Sequence, residues 1–196
     1  LLASFVCKMF SVSSDAIGSF KTGDNINHNL RILVLLYKYY DDAIPYDQNL
    51  LRKPIILLLV TIVEAVLHDF HARIVHNVSE GVSNLTDEVI AYIRGKKIDE
   101  LEKYIVSARR HDFFDAGHTN FYDALDQLRK VRNRVHIQNI RVELESSDYH
   151  VFTERRKIMA EKAVELVLKT MAKKYGRGAS RYVKDFELPW SEYFAI

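Results

Sequence analysis

Apolar residues in the second half of the chain recur at helical spacing. Phe121, Ala124, Leu125, Leu128, Val131 and Val135 lie three or four apart and mark one buried stripe of a helix over 120–136. The same spacing in Leu101, Tyr104, Ile105 and Ala108 predicts an amphipathic helix over 99–110. Met159, Ala163, Leu166, Val167 and Met171 predict another over 153–175, with Thr153 as its N-cap and Gly176 ending it. Residues 30–40 are apolar on nearly every side, which predicts a buried helix. Residues 48–76 form the longest candidate, with Pro54 near its first turn. The β-branched run Val60–Val63 also suits a buried strand, but the length of the pattern and its lack of flanking glycines favour helix.

The segments between read as connections. Residues 1–20 are weakly helical and broken by Ser11, Ser13 and Ser14, and 21–29 are a polar loop with Gly23, Asp24 and three asparagines. Pro45 marks a turn over 41–47, and 77–95 are polar with one short helix over 86–93. Gly117 sits in a loop over 111–119, and 141–150 form a connector with Glu143, Glu145, Ser146, Ser147 and Asp148. The expectation is an all-α fold, a bundle of about five main helices over 30–176, with an N-terminal extension (1–29) and a C-terminal tail (177–196) ending in Trp190, Tyr193 and Phe194.

Composition sharpens this picture in three ways. Only 7 Gly and 3 Pro occur in 196 residues, too few turn formers for a strand-rich fold. The single cysteine, Cys7, excludes an internal disulfide and fits a reducing cytoplasm. The most apolar run, 55–67, is interrupted by Glu64 and is too short to span a bilayer, so no membrane partner is expected. Residues 1–10 contain Lys8 and no small-residue cleavage pattern, and do not read as a signal peptide. The net charge of +2 implies no partner by itself.

The chemistry concentrates in 128–139, Leu-Arg-Lys-Val-Arg-Asn-Arg-Val-His-Ile-Gln-Asn. Projected on a helix, Arg132 falls inside the apolar stripe, His136 lies one turn on, and Arg129 and Asn133 continue the same edge. A buried guanidinium costs several kcal/mol unless paired, so Arg132 needs a buried acid or a task. Glu64, the only acid between Pro54 and Leu67, is the evident partner. Such a group of residues can cleave RNA without a metal. An imidazole takes the ribose 2′-hydroxyl proton, and a guanidinium grips the phosphate and stabilises its developing charge.

Arg132-Asn133-x-x-His136 near the end of a bundle helix resembles the signature of the HEPN superfamily, all-helical domains that are usually dimers and often metal-independent endoribonucleases. The family motif is an Arg, four to six intervening residues, and a His, often with an Asn after the Arg. Arg129 to His136 has six intervening residues and fits, whereas Arg132, the one followed by Asn, has three. The resemblance implies RNA cleavage of bacterial defence or toxin type at a homodimer cleft. Arg132, His136 and Asn133 would be catalytic, and Arg129, Lys130 and Arg134 would hold RNA. It implies no metal and no cofactor, and it allows an antitoxin or regulatory partner. Two other readings stay open: a non-catalytic RNA-binding or sensor protein, and a helical scaffold whose Arg132 is structural.

Other groups carry weaker signals. Glu64, His68 and His71 share a helix edge that suits a metal, but no His-Glu-x-x-His pattern accompanies them, and solvated histidines are the commoner outcome. His111 and His118 flank the loop before the 120–136 helix. Two tracts contain cations and no acid: Arg129 to Arg141, and Lys169 to Lys184 with Tyr175 and Tyr182 interleaved. Either a nucleic-acid surface or a solvated helix end accounts for them.

Overall fold

The computed structural model describes residues 9–76, 82, 84–136, 144–145, 147–178 and 183–195. Cys7, Arg141, Glu143, Ser146, Arg181 and Tyr182 lie outside these residues. Seven helices occur among the described residues: α1 (Phe20–Asp42), α2 (Pro45–His76), α3 (Asp87–Arg94), α4 (Leu101–Arg110), α5 (Phe121–Arg132), α6 (Asp148–Val151) and α7 (Glu154–Tyr175). A two-stranded antiparallel sheet joins β1 (Phe10–Val12) to β2 (Phe186–Leu188), with Phe10 opposite Leu188 and Val12 opposite Phe186. The all-α class holds. No helix among the described residues is long and apolar enough to cross a membrane.

The core lies between α2 and α7, and α5 is a flanking helix rather than the centre of the bundle. Twelve of the 22 residues of α7 are buried, far more than one amphipathic stripe requires. Thr153 caps it, its hydroxyl accepting from the Arg156 N–H at 3.3 Å. In α2, Pro45 occupies the first helical position, where its missing N–H costs nothing. Pro54 therefore falls well inside the helix, not in its first turn.

The N-terminal reading needs correction. Residues 21–29 are not a loop but the opening turns of α1. Gly23, Ile26, Leu30 and Leu33 bury one stripe, the polar residues between them face outward, and the Ser19 side chain accepts from the Thr22 N–H. Asp69 of α2 anchors this end, accepting from the backbone N–H groups of Gly18 (2.7 Å) and Ser19 (3.0 Å). The described parts of the extension and of the tail contribute to the core. Ala16, Ile17, Phe186, Leu188 and Trp190 are all buried, and Arg73 of α2 donates to the carbonyls of Ala16 and Tyr175.

Candidate functional site

α5 enters the fold on one face, burying Tyr122, Leu125, Leu128 and Val131. It stops at Arg132, and a 3-10 turn covers Asn133–Val135. That turn overrides the helical projection. A 3-10 turn advances about 120° per residue instead of 100°, so side chains leave the α-helical register. Val135, expected in the buried stripe, is 52% exposed, while Arg134 is buried. The driving contact is ionic: Arg134 Nε and Nη2 donate to Asp148 Oδ1 at 3.2 and 3.0 Å, beside Lys53 at 2.6 Å from Asp148 Oδ2. Arg134, expected to hold RNA, is thus turned into the protein.

Arg132, projected inside the apolar stripe, lies at its border with its side chain 35% exposed, and the expected pairing with Glu64 is present. Its Nη2 lies 2.6 Å from Glu64 Oε2, and both side chains are partly shielded from water. Asn133 caps α5, its backbone N–H donating to the Arg129 carbonyl. His136 follows the 3-10 turn in extended conformation, with its backbone N–H donating to the Asn133 carbonyl. Its ring stands exposed and forms no hydrogen bond to a described residue. The turn removes the i, i+4 alignment that set His136 above Arg132 on a continuous helix.

Among the described residues the cations of 129–134 are paired with acids, one on α5 itself and the others from elsewhere in the fold. Arg129 reaches Asp126 (2.8 Å) and Glu102 (3.2 Å), Lys130 reaches Asp126 (3.2 Å), and Arg132 reaches Glu64. A concavity of about 420 Å³ beside Lys130 carries Asp123 and Asp126 as well as Arg155, so its charge is mixed. The second tract is dispersed in the same way. Lys169 is held by Glu165, Glu192 and the Phe194 carbonyl, Lys174 by Asp115, and Tyr175 is buried, its hydroxyl donating to the Phe113 carbonyl. Tyr175 therefore offers no exposed ring for a base to stack on, and Tyr182 lies outside the described residues.

The histidines of α2 do not converge. Glu64 faces Arg132, and His68 is exposed, edge-on to Tyr104. His71 is buried, with Nδ1 donating to the Leu67 carbonyl (2.7 Å) and Nε2 accepting from the Ser107 hydroxyl (3.0 Å). Burial pushes its pKa down to about 4, so it is neutral. Among the described residues no group of three metal-ligating side chains comes together. His111 stacks on Phe113, and burial lowers its pKa, whereas His118 is exposed.

One polar cluster escaped the sequence reading. Glu161 and Glu165 of α7 are fully buried. Glu161 accepts from the hydroxyls of Tyr37 and Tyr193 and pairs with Lys157 at 2.8 Å, while Glu165 accepts from the backbone N–H groups of Tyr193 and Phe194. Burial, then the Glu161 carboxylate, pushes the Tyr37 pKa well up. The i, i+4 spacing of Lys157–Glu161 and Glu165–Lys169 was a visible signal, but their depth was not. The cluster binds the C-terminal segment to α7 and opens into no described cavity. No family model, curated protein or solved structure matches this chain.

Proposed function

We propose that this chain is a HEPN-like, RNA-directed protein, in first place a metal-independent endoribonuclease of defence or toxin type acting as a homodimer. One observation carries the reading. At the end of α5 a guanidinium is held in place by Glu64, and four residues on an imidazole stands in water with no hydrogen-bond partner among the described residues. In this scheme His136 takes the proton of the ribose 2′-hydroxyl, whose oxygen forms a new bond to phosphorus. The bond to the 5′-oxygen breaks, and the imidazole of a second copy returns a proton to that leaving oxygen. The Arg132 donors not engaged by Glu64 stabilise the charge on phosphate, and Asn133 orients the phosphate or the ribose. Arg129 and Lys130 contribute to RNA binding once RNA competes with Asp126 and Glu102 for them; Arg134 is set aside by its contact with Asp148.

A second reading, a helical scaffold with a structural Arg132, is favoured by a different observation: each cation of 129–134 faces an acid. Incubating the protein with total RNA in EDTA separates the two. The first reading predicts fragments ending in 2′,3′-cyclic phosphate. The scaffold predicts intact RNA and no mobility shift, and a salt-dependent shift without cleavage marks a non-catalytic RNA-binding protein.

A further inference from the structure

A surface helix normally turns charged residues to water. The outer edge of α2 does not. Leu50, Pro54, Leu57, Leu58, Thr61 and Ala65 recur at helical spacing along it, Leu50 and Thr61 exposed and the others half-buried, and His68, Ala72 and Val75 continue the line. The nearest charges are drawn aside, Lys53 to Asp148 and Glu64 to Arg132. Both flanks of the edge are identified by their bonds. Asp69 on one side holds the start of α1, and Glu64 on the other holds the end of α5.

α1 extends this edge into a face. It runs back along α2 after a two-residue connection, and it carries Ile32, Leu35, Leu36 and Tyr39 at helical spacing, with Leu35 58% and Tyr39 66% exposed. At 1.5 Å per residue the edge from Leu50 to His68 is roughly 27 Å long, and two neighbouring helices span roughly 20 Å. Such a face offers roughly 500 Å² per chain, so two faces together reach about the 1,000 Å² that a specific interface needs.

We infer that this α1–α2 face is the contact surface for a second copy of the chain, packed about a two-fold axis. Nucleic acid and anionic lipid both demand Lys or Arg, which this stretch of α2 turns elsewhere. An apolar face is complementary to itself, which is all an isologous contact requires, and the exposed Arg31, Lys38 and Asp42 of α1 lie at its outer margin beyond Leu35. Its middle suits close approach of two α2 helices. Thr61 and Ala65 are small, and the Thr61 hydroxyl already donates to the Leu57 carbonyl at 2.8 Å, so burial strands no donor. Because Glu64 borders the face, the two-fold brings both Arg132–Glu64 pairs to its rim. The assignment stands on the face itself and not on the chemistry proposed for His136.

Sedimentation velocity of the whole chain at about 100 µM tests it, a concentration at which a micromolar Kd leaves mostly dimer. The wild type is expected at twice the 22.8 kDa chain mass. Thr61→Arg on α2 and Leu35→Lys on α1 should each weaken association at least about tenfold, with unchanged circular dichroism and melting. The use of two separate helices guards against one variant misfolding. A monomeric wild type overturns the inference, as do folded variants that still sediment as the wild-type dimer. Neither outcome depends on whether RNA is cut.

Discussion

His71 makes stability depend on pH in a calculable way. Its folded pKa of about 4 lies below its ordinary value of 6.5, because burial disfavours the imidazolium. On acidification the unfolded chain takes the proton first. The contribution of neutral His71 is therefore complete above about pH 6.5 and is lost progressively as pH falls toward 4. At about 1.4 kcal/mol per pH unit, the gap amounts to about 3 kcal/mol. In a chain of this size that is roughly 6–12 °C of melting temperature. Burial lowers His111 in the same direction, so wild type is best compared with His71→Gln. Glutamine does not titrate and keeps a donor for the Leu67 carbonyl and an acceptor for the Ser107 hydroxyl. Urea unfolding followed by circular dichroism at several pH values between about 7 and 4 should show the wild type losing about 3 kcal/mol more than the variant. A difference between the two that stays constant across this range would refute the buried, neutral assignment.

Three further outcomes follow from the contacts. In Gly18→Ala the new Cβ would lie 2.6 Å from Arg73 Cδ in a buried setting, so the urea midpoint should fall by the equivalent of about 1–3 kcal/mol. Arg134→Met should lower stability by about 1–3 kcal/mol and leave RNA affinity unchanged in a mobility-shift titration, since its guanidinium faces Asp148. A double-mutant cycle on Arg132→Ala and Glu64→Gln should give a coupling of about 1 kcal/mol in chemical unfolding, modest because both side chains keep some contact with water.

The legible parts of the fold were those with a local cause. Thr153 and the three-and-four spacing of α4 and α7 placed those helices within a residue or two. Glu64 was legible as the Arg132 partner because it is the one acid in a long apolar run. The opening of α1 was missed because its outward residues are polar, and β1 and β2 because three residues give alternation too little length. The inversion of Arg134 and Val135 depends on a bond to Asp148, fourteen residues away, which no periodicity records. The pairing of the basic tract was hidden for the same reason, Asp126 on α5 itself excepted. Glu64, Glu102 and Asp148 reach it only through the fold.

The most direct test of the account is the rate of RNA cleavage in EDTA by wild type and by His136→Ala, with folding and oligomeric state measured on the same samples. The ring of His136 is exposed and unbonded among the described residues, so its loss should leave the fold intact. Removing an acid–base catalyst costs about 10² to 10⁴ in rate, and the account predicts a loss of that size. A folded His136→Ala protein that cuts RNA at the wild-type rate would contradict it.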